Sequence, residues 1–134
     1  MRFNILYNNR FDDLWIIAYF CKVGITIYDI FSRMVKHIIL WKLREELTAE
    51  EKEAAKAGMK AGLEGLVGQV PGLLDAKVTI SGILPSSNAD VMLDCTLESP
   101  EALTGYAVHP AHVAVANAKV RPFTAVRTCI AFEA

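Results

Sequence analysis

An α+β fold is what this sequence predicts: one four-stranded antiparallel sheet with its helices gathered on one side. Three observations carry the prediction. Segments of two-residue and of 3.6-residue hydrophobic periodicity follow one another in the order strand, helix, strand, strand, helix, strand. Turn and capping residues fall between them where the change of period requires them. The chain of 134 residues suits one domain of ordinary size, not a two-domain enzyme.

The first strand is predicted over residues 35–43 (VKHIILWKL), with Val35, His37, Ile39, Trp41 and Leu43 on one face and Lys36, Ile38, Leu40 and Lys42 on the other. Thr48 opens a helix, and Glu51 three residues on completes a capping box. Ala55, Met59, Leu63, Leu66 and Val70 form its apolar stripe, and Pro71-Gly72 is expected to end it. Gly58, Gly62, Gly65 and Gly68 lower its helix propensity and are expected to let it lie close to the sheet. A second strand is expected at 75–84, a turn at Pro85–Ala89 (PSSNA) and a third strand at 90–97. Ser99-Pro100 pairs an N-cap with proline at the first helical position, starting a short helix to about Val108. His109-Pro110 restarts a second short helix to about Lys119. The last strand, 126–133, alternates Val126, Thr128, Ile130 and Phe132 against Arg127, Cys129, Ala131 and Glu133. This βαββαβ order is the split βαβ pattern of ferredoxin-like folds, with expected strand order 4-1-3-2.

The first 33 residues differ in kind from the rest. Eight of the 12 aromatic residues lie there, and Ala18 and Gly24 are its only alanine and glycine. From Met34 onward alanine, glycine and proline make up 28 of 101 residues. The first composition uses AT-rich codons and the second mostly GC-rich ones. The break predicts Met34 as the native start and residues 1–33 as translated upstream sequence; the alternative is a real but peripheral extension that packs poorly. Residues 14–21 (LWIIAYFC) offer a signal-peptide core, but Asp12 and Asp13 stand where positive charge belongs and no A-x-A site follows. A membrane-associated helix over 14–31 is interrupted by Lys22 and Asp29.

A net charge of −1 gives no electrostatic footprint for nucleic acid. Mean hydropathy is high, at +0.29, yet no run of about 18 apolar residues suggests a membrane span. Three cysteines, an odd number, argue against a disulfide framework. The expected location is the cytoplasm. The first strand is apolar on both faces, and a 101-residue body has no third layer to cover the far side. An identical subunit packed sheet to sheet is the economical cover, so a homodimer is expected.

Three blocks, MVKHIILWKLREELTAEEKEAA, LPSSNADVML and SPEALTGYAVHPAHVAV, occur in order over residues 34–134. Together they resemble the stress-responsive A/B barrel (dimeric α/β-barrel) family. The resemblance implies a ferredoxin-like subunit that dimerises into a barrel, as the sheet argument requires. The family holds small plant stress-induced proteins, a plant polyketide cyclase that closes an aromatic ring by aldol condensation, and many bacterial members without assigned activity. In the cyclase a tyrosine and a histidine corresponding to Tyr106 and His112 are used, with a first-strand histidine corresponding to His37. The resemblance thus makes His112 and Tyr106 the candidate catalytic pair and His37 a third candidate ligand contact beside them; Trp41, on the same strand face as His37, is a cavity-wall or dimer-core residue and a further candidate ligand contact. A histidine at a helix N-terminus is disfavoured as imidazolium, so His112 suits a general base for removing a proton next to a carbonyl. Tyr106 would hydrogen-bond the developing enolate oxygen.

The sequence departs from the cyclase. No aromatic residue stands between Trp41 and Tyr106; Leu63 is near the place of a cavity tyrosine, and Thr124 replaces a tryptophan. A polyketide substrate is therefore not implied, and a smaller or differently shaped apolar cavity is expected. Plainer roles compete: HPxH as a helix start, His109 and His112 as local caps, His37 as a satisfied core histidine. Zinc on His37, His109 and His112 lacks any carboxylate or thiol placed to complete it. Cys95 and Cys129, on strands either side of the first, stand too far apart to bridge and read as inert thiols. No phosphate loop or Ser/His/Asp arrangement occurs, so neither cofactor nor metal is expected. The sequence favours a homodimeric, stress-associated binding module for a small apolar metabolite. A proton-transfer enzyme using His112 and Tyr106 is the alternative, and a cofactor-free monooxygenase follows from fold analogy alone.

Overall fold

The computed structural model describes residues 33–134 and Gly24. The start-site, signal-peptide and peripheral-extension readings of the leader fall on residues outside those described. Within 33–134 the elements are β1 (Val35–Leu43), α1 (Ala49–Glu64), β2 (Leu73–Thr79), β3 (Val91–Leu97), α2 (Pro100–Val108), α3 (Pro110–Val115) and β4 (Thr124–Glu133). A π-helical turn, Ala116–Val120, continues α3.

The four strands form one antiparallel sheet in the order β2-β3-β1-β4, the predicted 4-1-3-2. β1 and β3 are the two interior strands, and β1 carries apolar side chains at its centre on both faces. Its Val35, Ile39, Trp41 and Leu43 join Val91, Leu93, Cys95 and Leu97 of β3 in the core, beneath Met59 and Leu63 of α1. The opposite face carries Ile38 and Leu40, with Ile130 and Thr128 of β4 beside them.

The capping box at Thr48 is formed as predicted. The Glu51 amide donates to Thr48 Oγ1 at 3.2 Å, and the Thr48 amide donates to Glu51 Oε2 at 2.7 Å. α1 stops at Glu64, however, well before Pro71-Gly72. Gly65 caps it, its amide donating to Ala61 O at 3.1 Å. Leu66 and Val70 are buried from irregular turns, so the apolar phase runs on after the helix has ended. The glycines also face elsewhere than expected. A Cβ on Gly62 would lie 2.9 Å from Val115 Cγ1, and one on Gly58 would lie 3.6 Å from Lys119 Cδ. The close approach is therefore between α1 and the α3 segment, not between α1 and the sheet.

β2 begins two residues before its predicted start and ends five before its predicted end. Gly72, at φ +82°, turns the chain into it, and Gly82, at φ +72°, turns the chain away soon after it. A bulge between Leu73 and Asp75 shifts the phase, so that Leu73, Ala76 and Val78 face the core while Leu74 is exposed. Ile80 packs on the core from outside the strand. The end of α1 is tied to this edge strand. Lys60 Nζ donates to Glu64 Oε1 at 2.7 Å and to Val78 O at 2.8 Å, and the Val78 amide donates to Glu64 Oε1 at 2.9 Å. β4, the other edge, has no buried residue.

Candidate functional site

The site grows from three local decisions. The pleat of β1 aims His37, Ile39 and Trp41 at the helix-covered face. Ser99 caps α2, accepting from the Ala102 amide at 3.1 Å, and this start places Tyr106 on the last turn, where it is 2% exposed. Pro110 then forces His109 into extended backbone (φ −62°, ψ 133°), which ends α2 and begins α3.

The two histidines of HPxH consequently do different work. His109 Nδ1 accepts from the Ala111 amide at 3.1 Å, so His109 is the N-cap of α3. His112 folds back over α2, its Nδ1 lying 3.2 Å from Ala107 O and its ring 4.2 Å from that of Tyr106. A neutral imidazole facing a carbonyl must donate to it, so Nδ1 carries the proton and Nε2 keeps the lone pair. His37 approaches Tyr106 from the sheet, edge to face at 6.2 Å. Tyr106 thus sits between His37 and His112. All three, with Trp41, line one cleft of about 630 Å³ between β4 and the α2–α3 corner. Leu63 and Thr124, the two positions of departure, line it as well. His109 does not; it lies over a separate depression beside Pro71 and Ser99. His37, His109 and His112 are therefore not brought together, and the described residues contain no cluster of three metal-ligating side chains.

Burial lowers the pKa of both cleft histidines. The nearby Arg127 charge adds to the effect at each, and Arg121 adds to it at His112. His112 is therefore held neutral chiefly by burial, where the helix end alone was expected to act. Burial also raises Tyr106, as does the adjacent Cys95 thiol, which is itself pushed up to about 12. Cys129, read as inert, lies with Sγ 3.6 Å from His37 Nδ1 and shares the cleft.

Two residues escaped the sequence reading. Arg127 and Arg121 line the same cleft as the rings. Arg127 was legible in principle: period two puts it on the core-facing side of β4, in register with Trp41, where an apolar residue belongs. Arg121 follows a π-helical turn that no sequence pattern announced.

The sequence matches the stress responsive A/B barrel domain over residues 35–134. Among solved structures, a dimeric ferredoxin-like protein of unknown function from Bacteroides fragilis is similar at 28% identity and TM-score 0.70, covering 75% of this chain and 96% of that one. A dimeric ferredoxin-like protein from Thermobifida fusca gives 22% identity and TM-score 0.64, covering 81% and 97%. A hydroxynitrile lyase from Passiflora edulis gives 12% identity and TM-score 0.60, covering 77% and 94%. Comparison with curated proteins gives no match. The described residues contain no helix long and apolar enough to cross a membrane.

Proposed function

Because the chain belongs to the stress responsive A/B barrel domain family, we propose that it is a homodimer that binds a small, largely apolar metabolite in the cleft under Tyr106 and His112. The observation that carries the reading is the cleft itself: about 630 Å³, lined by Ile39, Trp41 and Leu93 together with the rings of His37, Tyr106 and His112. That size and lining suit a small organic ligand. Dimerisation through the uncovered sheet face is supported by Ile130 at 59% and Phe132 at 44% exposure, and by the dimeric Bacteroides fragilis and Thermobifida fusca relatives. A cytoplasmic location goes with this reading, supported by the free Cys95 and Cys129 thiols.

N-phenyl-1-naphthylamine, a neutral apolar fluorophore, tests it. Saturable binding is expected for the unmodified chain and a loss of about tenfold or more in Ala131→Trp, which fills the cleft from β4. Equal binding by both proteins would remove the cleft as the ligand site.

One observation favours a second reading, proton-transfer catalysis with His112 as base. The Ala107 carbonyl fixes its tautomer, leaving Nε2 as the basic nitrogen. The lyase chemistry of the Passiflora edulis relative fits such a role by analogy of fold. Exchange of the α protons of small aryl ketones in D₂O, followed by NMR, discriminates. The enzyme reading expects protein-catalysed exchange that falls by about a hundredfold in His112→Ala. Absence of exchange leaves the binding module.

A further inference from the structure

We infer that the ligand of this cleft is an apolar monoanion, its charged group held by Arg127 with Arg121 as a second contact and its body lying on Ile39 and Trp41. The inference deepens the binding reading above and rests on it. Both charged side chains among the cleft's lining residues are arginines, and no aspartate or glutamate lies among them. Neither Arg121 nor Arg127 forms an ion pair among the described residues, so no carboxylate neutralises either charge at the cleft. Arg121 donates to the neutral Asn117 Oδ1, which leaves its charge uncompensated.

Arg127 is also fixed in position. It stands on the helix-covered side of a sheet, across from Trp41, on a strand whose backbone is fixed by pairing along β1. A guanidinium there has no structural duty in the core, since β4 is not buried. Its charge reaches His37, Tyr106 and His112, so all three rings sit in a positive field. A neutral apolar ligand would leave that field unanswered. A carboxylate would answer it, because the planar guanidinium fork matches two carboxylate oxygens while the apolar floor takes the remainder. Alkyl and aryl carboxylic acids are the chemical class that combines the two.

The test uses two fluorophores of nearly one shape: 8-anilinonaphthalene-1-sulfonate, a permanent monoanion, and its neutral parent N-phenyl-1-naphthylamine. The full chain is expected to bind the anion at least about tenfold more tightly than the parent, with the gap narrowing as salt is raised. Arg127→Met is expected to weaken the anion about tenfold and to leave the neutral probe within about twofold; Arg127→Lys should recover part of the loss. Arg121→Met should give a smaller effect of the same sign. Arg127 is exposed, so these variants are expected to fold, and circular dichroism checks it. If the neutral probe enters the cleft and is displaced by Ala131→Trp, yet the anion gains nothing or ignores Arg127→Met, the anion inference is overturned and the cleft reading stands. If neither probe responds to Ala131→Trp, both fall together.

Discussion

The two edges of the sheet meet the rest of the molecule in opposite ways. At the β2 edge, α1 lies across the strand and its Lys60–Glu64 pair takes up the amide and carbonyl of Val78. At that residue the backbone groups that would otherwise be open to another strand are satisfied, and the core side is packed. At the β4 edge no helix among the described residues reaches across. The inner side of β4 becomes the wall of a cleft with Arg127 and Cys129, and its outer side leaves Val126, Ile130 and Phe132 in solvent. The two edges show how one fold divides its labour. The half nearest α1 is the packed one, and the half that α1 misses carries the surfaces proposed above for a ligand on one face and a second subunit on the other.

The largest effect should come from the covered half. Leu97, on β3, is fully buried between Val35 and Leu73. Leu97→Ala is expected to cost about 3 kcal/mol, read by urea unfolding at fixed protein concentration. A cost under about 1 kcal/mol would mean that this half is not the stabilising one. Next comes the outer face of β4. Ile130→Asp puts a charge where the proposed sheet-to-sheet contact would desolvate it, and it should weaken dimerisation by on the order of a hundredfold or more while the far-ultraviolet circular dichroism stays native. Sedimentation equilibrium at micromolar concentration reads the change. An unaltered dimer would move the interface elsewhere.

The sequence disclosed the covered half more completely than the open one, for a physical reason. β1, the capping box at Thr48 and the Ser99-Pro100 start depend on residues within a few positions of each other, and all three were legible to the residue. The end of α1 was not, because Leu66 and Val70 keep helical phase while Gly65 and the turns after it abandon the helix. β2 shifted because its bulge at Leu74 breaks strict alternation, which a period count assumes. In the cleft, His37, Tyr106 and His112 were named from family resemblance and Trp41 from the alternation of β1, and all four line it. Arg127 and Arg121 were missed because their meaning is relational: each matters through what it faces across the cleft, and α1's failure to cover β4 cannot be seen in any local pattern. His109 and His112, three residues apart and alike in sequence, separated only once the Ala111 amide and the Ala107 carbonyl were seen to claim one each.

The smallest effect divides the two halves by pH. His37 and His112 both lie below the ordinary value of 6.5 because burial disfavours the imidazolium. The unfolded chain therefore binds more protons than the folded one just below that value, and stability must rise with pH through the window. Their contribution is complete above 6.5 and is lost as pH falls from there toward the depressed folded values. Glu64 is lowered from 4.5, first by its hydrogen bond to Lys60 and then by the Val78 amide, so its contribution is complete above 4.5 and is lost as pH falls further. The open half should thus lose stability first on acidification and the covered edge second. His37→Gln with His112→Gln should flatten the upper window alone, and Glu64→Gln the lower one alone, when urea midpoints are measured from pH about 7.5 down to about 3.5. If Glu64→Gln altered the upper window, the two edges would be coupled, and the separation of a stabilising half from a recognising half would fail.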